Sequence, residues 1–102
     1  MRYDTPDEIR SRFNQMADSY VNKVTNTIPF YDETIELMTN LLIHLPQRPL
    51  KILDLGCGPG ILANTICSKI NKVEITIVDF AENMLTKALM VLEAKKIVVN
   101  SI

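Results

Sequence analysis

The sequence has no apolar run approaching the roughly 20 residues of a membrane span, so a spanning helix is not expected. Its opening residues, MRYDTPDE, lack the apolar core of a secretory signal, which makes the cytoplasm the expected compartment. It has only two cysteines, Cys57 and Cys67, at no metal-ligand spacing. No metal centre is expected, and both thiols are expected to be reduced. Charge of either sign is not in excess. The formal net charge is -1, so neither nucleic acid nor an anionic membrane is called for as a partner. Histidine is nearly absent. The one residue, His44, falls near the end of a helical pattern, where a favourable contact with the helix dipole competes with a catalytic role. No internal repeat or low-complexity segment is present.

Glycine is scarce too, and its placement is informative. All three glycines, Gly56, Gly58 and Gly60, fall at alternate positions inside KILDLGCGPG, residues 51–60. Ile52, Leu53 and Leu55 before them have strand character, and the segment 61–70 after them has helical periodicity. A buried strand, a tight glycine turn and a helix are expected. Glycine reaches dihedrals closed to other residues and lets a ligand lie against bare backbone. The helix start presents unpaired N–H groups and positive dipole, which suits a polar or anionic group. An ordinary tight turn is the alternative.

VEITIVD, residues 73–79, is a second strand pattern that ends in an acid. Parallel-sheet nucleotide binders place an acid about 20 residues past the glycine turn to hold ribose hydroxyls. A carboxylate can accept from both hydroxyls of a diol, and Asp79 stands where that role requires. Dinucleotide binders space their glycines G-x-G-x-x-G. Here the third glycine comes one residue early, Ile61 occupies the dinucleotide position, and Asp54 lies two residues before the first glycine.

The pattern D-x-G-x-G-x-G resembles motif I of the class I S-adenosylmethionine-dependent methyltransferases. IVDFAENML, residues 77–85, is similar to the segment that follows in that family, with the ribose acid at Asp79. RFNQMADSY, residues 12–20, is similar to the N-terminal helix of the family's small-molecule branch, F-x-x-x-A-x-x-Y. The resemblance covers residues 13–85. It implies an α/β fold: a Rossmann-like parallel sheet with flanking helices, preceded by two N-terminal helices. It also implies S-adenosyl-L-methionine as cofactor and a small-molecule methyl acceptor. On the same resemblance Gly56, Cys57, Gly58 and Gly60 form the turn under the amino-acid and ribose portions. Asp54 orients the loop and the cationic methionine end. Tyr20 closes over that end, and Phe80 and Met84 flank the adenine ring. Core packing is the alternative for Met84, and packing of the first helix on the domain is the alternative for Tyr20. No catalytic residue is assigned, because the family's acceptor-side residues follow a fourth strand.

In chain order, Thr5, Pro6 and Glu8 supply an N-cap, a first-turn proline and a capping box. Ile9, Phe13, Met16, Ala17 and Tyr20 continue as one helical stripe. Residues 21–28 show little periodicity and read as a loop, and a helix over 30–45 follows, stopped by Pro46 and Pro49. Leu62, Ala63, Ile66 and Ile70 would face the sheet from the next helix. Continuous apolar character in both strands suggests a sheet covered on two faces, with strand, helix, strand forming a right-handed parallel crossover. A helix over 81–94 would bury Met84, Leu85, Ala88, Val91 and Leu92. Ala81 stands where a serine cap is usual in the family, a loss for which Asp79 would compensate in part. Residues 97–102 read equally as a third strand or as a continuation of that helix.

The organisation expected is a helical lead-in over 1–48 and, over 49–102, the first half of a Rossmann-like cofactor-binding domain. A sheet that stops after two or three strands would expose an apolar edge, so a homo-oligomer, or a fragment of a longer protein, is expected. A non-catalytic nucleotide-binding or assembly module is the reading from another class. An NAD-linked oxidoreductase is the third, opposed by the glycine spacing.

Overall fold

The computed structural model describes residues 3–93 and 98–101. Three helices come first: α1 (Pro6–Met16), α2 (Tyr20–Thr27) and α3 (Tyr31–Ile43). A strand–helix alternation follows: β1 (Leu50–Leu55), α4 (Ile61–Lys69), β2 (Val73–Val78), α5 (Glu82–Glu93) and β3 (Val98–Ser101).

The first helix starts as its cap residues dictate. The Thr5 hydroxyl accepts from the Glu8 N–H at 3.2 Å, and Pro6 takes the first turn, where its missing donor costs nothing. The chain turns at Ala17, Asp18 and Ser19, so Tyr20 opens α2 instead of ending α1. The expected loop over 21–28 is therefore helical as far as Thr27. Val24, buried on α2, shows why: packing supplies what weak periodicity does not. Phe30 precedes α3 with φ 59°, a left-handed conformation for an exposed aromatic residue, and its carbonyl accepts from the Thr34 N–H at 2.9 Å.

The three strands are parallel, in the order β1-β2-β3. Leu50, Ile52 and Asp54 sit opposite Val73, Ile75 and Ile77 on one face. Ala63 and Ile66 from α4, Ile70 just after it, and Ala88 and Leu92 from α5 complete the core against that face. Each fully buried aliphatic side chain there contributes about 1.5–3 kcal/mol. Val91, expected in the buried stripe of α5, is exposed.

The other face is open at β1, where Lys51, Leu53 and Leu55 are exposed, the two leucines at 59% and 70%. The expectation of a sheet covered on both faces is corrected here: a continuous apolar run shows that both sides are hydrophobic, not that both are covered. β1 is also an edge strand, with its outer side unpaired among the described residues. The ambiguity over 97–102 resolves as strand for Val98–Ser101, parallel to β2; Ile97 and Ile102 lie outside the described residues.

Candidate cofactor site at the glycine turn

The turn leaves the carboxyl end of β1 with Gly56 at φ +69°, Gly58 at +56° and Gly60 at +87°. These are left-handed conformations in which a Cβ is strained. The N–H groups of Gly56 and Cys57 both donate to the Val78 carbonyl, at 2.7 and 2.9 Å, which ties the turn to the end of β2. Asp79 adds a second tie. One carboxylate oxygen accepts from the Gly58 N–H and the other from the Ala81 N–H, each at 2.8 Å. Asp79 thus fastens the turn and caps the approach to α5, where Ala81 has no cap of its own. A carboxylate offers about four acceptor positions, so both oxygens retain capacity for a ligand.

The glycines have different surroundings. A Cβ on Gly56 would meet nothing within 4 Å, and one on Gly58 would come 3.6 Å from the Tyr20 ring. One on Gly60 would press at 3.1 Å on both Cα and Cβ of Ala88. Gly60 therefore serves the approach of α4 to α5, and it lines neither cavity at the turn.

Two cavities meet at Gly56, Gly58 and Tyr20. The larger, about 330 Å³, is walled by Ile9 and Phe13 of α1, by Asp79 and Phe80 after β2, and by Met84 of α5. Met84 is buried against Ala17 and Ala81, so it serves the core and the cavity wall at once. Phe80 is half-exposed, with the Arg10 guanidinium 4.0 Å from its ring centroid and Arg10 Nε donating to its carbonyl at 3.1 Å. The smaller cavity, about 170 Å³, is walled by Asp54, Cys57 and Pro59 on the turn side and by Tyr31, Ile35 and Leu62 from α3 and α4.

The smaller cavity is electronegative. Burial pushes the Asp54 carboxyl above the usual carboxylate range, and the Asp79 charge adds to the shift. Asp54 Oδ2 is buried with no hydrogen-bond partner among the described residues. Burial first, then the charges of Asp79 and Asp54, raise the Cys57 thiol to about 12. That thiol stays protonated at neutral pH and is no nucleophile. Burial also raises the Tyr31 hydroxyl, followed by the influence of Tyr20, Asp32 and Asp54.

Every residue expected at the site from the sequence except Gly60 lines one or both cavities. Ile9, Phe13 and Tyr31 were not anticipated as walls. The periodicity of α1 marks Ile9 and Phe13 as apolar-face residues without saying what that face covers, and nothing in the sequence marks Tyr31.

Residues 52–101 match the family described as "Methyltransferase domain". The chain belongs, through that segment, to the class I S-adenosylmethionine-dependent methyltransferases. It is 31% identical over 70 residues to the carboxy-S-adenosyl-L-methionine synthase of Campylobacter lari, covering 69% of this chain and 30% of that protein. It is 30% identical over 69 residues to the ribosomal RNA small subunit methyltransferase C of Shewanella denitrificans, covering 67% and 20%. The chain thus spans under a third of either relative. Among solved structures it resembles the plantazolicin methyltransferase BpumL in complex with a triazolic desmethylPZN analogue and SAH. There the TM-score is 0.57 at 22% identity, over 95% of this chain and 40% of that one. This last likeness concerns the fold. The cofactor of the family is S-adenosyl-L-methionine.

The residues present fit that group. The larger cavity has apolar walls and an acid with spare acceptor capacity, as a base and a ribose diol require. The smaller one holds a buried carboxylate oxygen without a partner, as a cationic amino-acid end requires.

Proposed function

We propose that this chain forms the cofactor seat of an S-adenosylmethionine-dependent methyltransferase whose acceptor is a small molecule. The orphaned Asp54 oxygen beside the glycine turn carries this reading, because a buried carboxylate without a partner is costly unless a donor reaches it. In the reading, Asp54 receives the charged methionine end and Tyr20 closes over it. Gly56 and Gly58 offer bare backbone, with Cys57 between them as an inert filler. Asp79 holds the ribose diol while keeping the turn in place. Phe80 and Met84 flank the base. Gly60 contributes by bringing α4 against α5.

When bound, the cofactor would supply an activated methyl group for transfer to the acceptor. The chain's own residues orient the donor and exclude water from it. The acceptor is taken as a small molecule because a net charge of -1 gives no excess of positive charge for a phosphate backbone to follow. Cytoplasmic location and self-association through the free edge of β1 belong to the same reading; the exposed Leu53 and Leu55 support the second.

Calorimetric titration with S-adenosylmethionine, S-adenosylhomocysteine and NAD tests the proposal. The two sulfur ligands are expected to bind more tightly than NAD. Equal or tighter binding of NAD overturns the assignment.

A further inference from the structure

Helix α1 has no buried residue, yet Ile9 and Phe13 on it wall the larger cavity. An apolar face this thinly buried, with both side chains nearly 40% exposed, holds a helix weakly. The stronger hold is polar and goes to one short segment, residues 80–83. Asn14 Oδ1 accepts from the Asn83 N–H at 2.9 Å, and Asn14 Nδ2 donates to Glu82 Oε2 at 3.0 Å. The Asn83 side chain returns a bond to the Asn14 carbonyl at 3.2 Å. Arg10 adds its bond to the Phe80 carbonyl and stands 3.6 Å from Glu82.

The Asn83 N–H is in the first turn of α5, where amides have no partner within the helix. Asn14 therefore does for α5, from another helix, what an N-cap residue does from within its own. The same four residues follow directly on Asp79, which fastens the glycine turn.

We propose that Asn14 is a positioning residue that latches α1 over the larger cavity by capping α5, so that closure of the cover and occupation of the cavity are coupled. The coupling rests on the cofactor-seat reading; the latch does not. A ligand touching Ile9 and Phe13 binds the closed arrangement, so by linkage it stabilises closure, and loss of the latch weakens the ligand.

Pulse-labelling hydrogen exchange on the full chain, with and without S-adenosylhomocysteine, tests this, alongside calorimetry with the same ligand. Asn14→Ala should speed exchange of the α1 amides by roughly threefold to tenfold, in line with the loss of a cap. The amides of α4 and β2 should keep their rates. Saturating S-adenosylhomocysteine should slow α1 exchange in the parent and in Asn14→Ala, and affinity should fall only as far as the closed fraction falls. Asn14→Asp sets a second carboxylate against Glu82 and should open α1 as well. Combining Asn14→Asp with Glu82→Gln should restore closure and affinity, since the new carboxylate accepts from Asn83 and the new amide donates to it.

Unchanged α1 exchange in Asn14→Ala overturns the latch. So does an equal rise in α4 and β2, which would mean general destabilisation, and so does failure of the paired variant to restore closure. α1 exchange that saturating S-adenosylhomocysteine leaves unchanged overturns the coupling. A parent chain that does not bind S-adenosylhomocysteine overturns the cofactor reading and the coupling, and α1 exchange still decides the latch.

Discussion

Replacing Asp54 by asparagine should move stability and affinity in opposite directions. In the ligand-free chain Asp54 Oδ2 is buried with no partner among the described residues. Leaving a buried acceptor unpaired costs about 1–3 kcal/mol. Asp54 as a residue is only half-buried, which places its cost near the lower end. Asparagine leaves a polar atom unpaired at the same place, but a neutral one that is cheaper to bury and escapes the repulsion of Asp79, so Asp54→Asn should stabilise the ligand-free chain by about 1 kcal/mol at most at pH 7. The pH dependence has a definite sign. The folded carboxyl titrates above its unfolded value, so the folded state holds the proton longer. Stability is therefore lost as pH rises from the ordinary aspartate range through the raised folded value, and the penalty is absent below that range. The asparagine variant should lack this slope. Its affinity for S-adenosylmethionine should fall by about 1.5–3 kcal/mol, the range for a hydrogen bond to a charged group, or roughly tenfold to a hundredfold. Urea melts at several pH values give the first quantity and calorimetry the second. A variant that is no more stable and binds as the parent does would refute both the orphaned state of Asp54 and its role.

Asp79→Ala should weaken S-adenosylmethionine by about 1.5–3 kcal/mol and Asp79→Asn by less, measured by calorimetry, because one acceptor remains in the amide. Parent-like binding by both would make Asp79 a purely structural fastener. Gly60→Ala should destabilise by about 2–4 kcal/mol in a urea melt, since it combines a left-handed backbone with pressure on the Ala88 backbone. A change within error would place α4 and α5 further apart than described. At micromolar concentration the chain should sediment as a dimer or larger species, and Leu53→Lys should shift it toward monomer. A parent that stays monomeric at that concentration removes the self-association reading.

The glycine turn, both flanking strands and the acid after β2 were legible because each rests on a local rule: left-handed dihedrals demand glycine, and buried parallel strands demand apolar runs. The first turn of α1 was legible for the same reason, through Thr5 and Pro6. α2 was not. Its stability comes from Val24 packing against neighbours that the sequence does not reveal, so tertiary contact overrode a weak local signal. The open face of β1 was missed for a different reason. Leu53 and Leu55 are as apolar as Ile52, and a strand carries no mark that tells a covered leucine from an exposed one. Asn14 carries no mark of its role in the sequence, because its partners, Glu82 and Asn83, lie nearly 70 positions away.

The alternating glycines look equivalent in sequence and have different jobs in the fold. Gly60 is fixed by Ala88 on a packing helix, so its lack of a side chain is a condition of assembling α4 on α5. Gly58 is held by Asp79 and roofed by Tyr20. Gly56 has open space where a Cβ would stand. The early third glycine, the feature that separates this pattern from the dinucleotide fingerprint, thus belongs to helix packing. That placement predicts how the cofactor is discriminated. A Cβ at Gly60 would press on Ala88, so the place of the third glycine bears on how α4 sits on α5, outside both cavities. On the proposed cofactor reading, selectivity against NAD would then come from the shape of the turn and from the buried charge of Asp54, and substitutions at Gly60 and at Asp54 should separate the two effects. A side chain at Gly56 would meet no protein atom within 4 Å, so on the proposed cofactor reading it should weaken the ligand, although its positive φ adds strain. A side chain at Gly60 destabilises the fold through Ala88, outside both cavities.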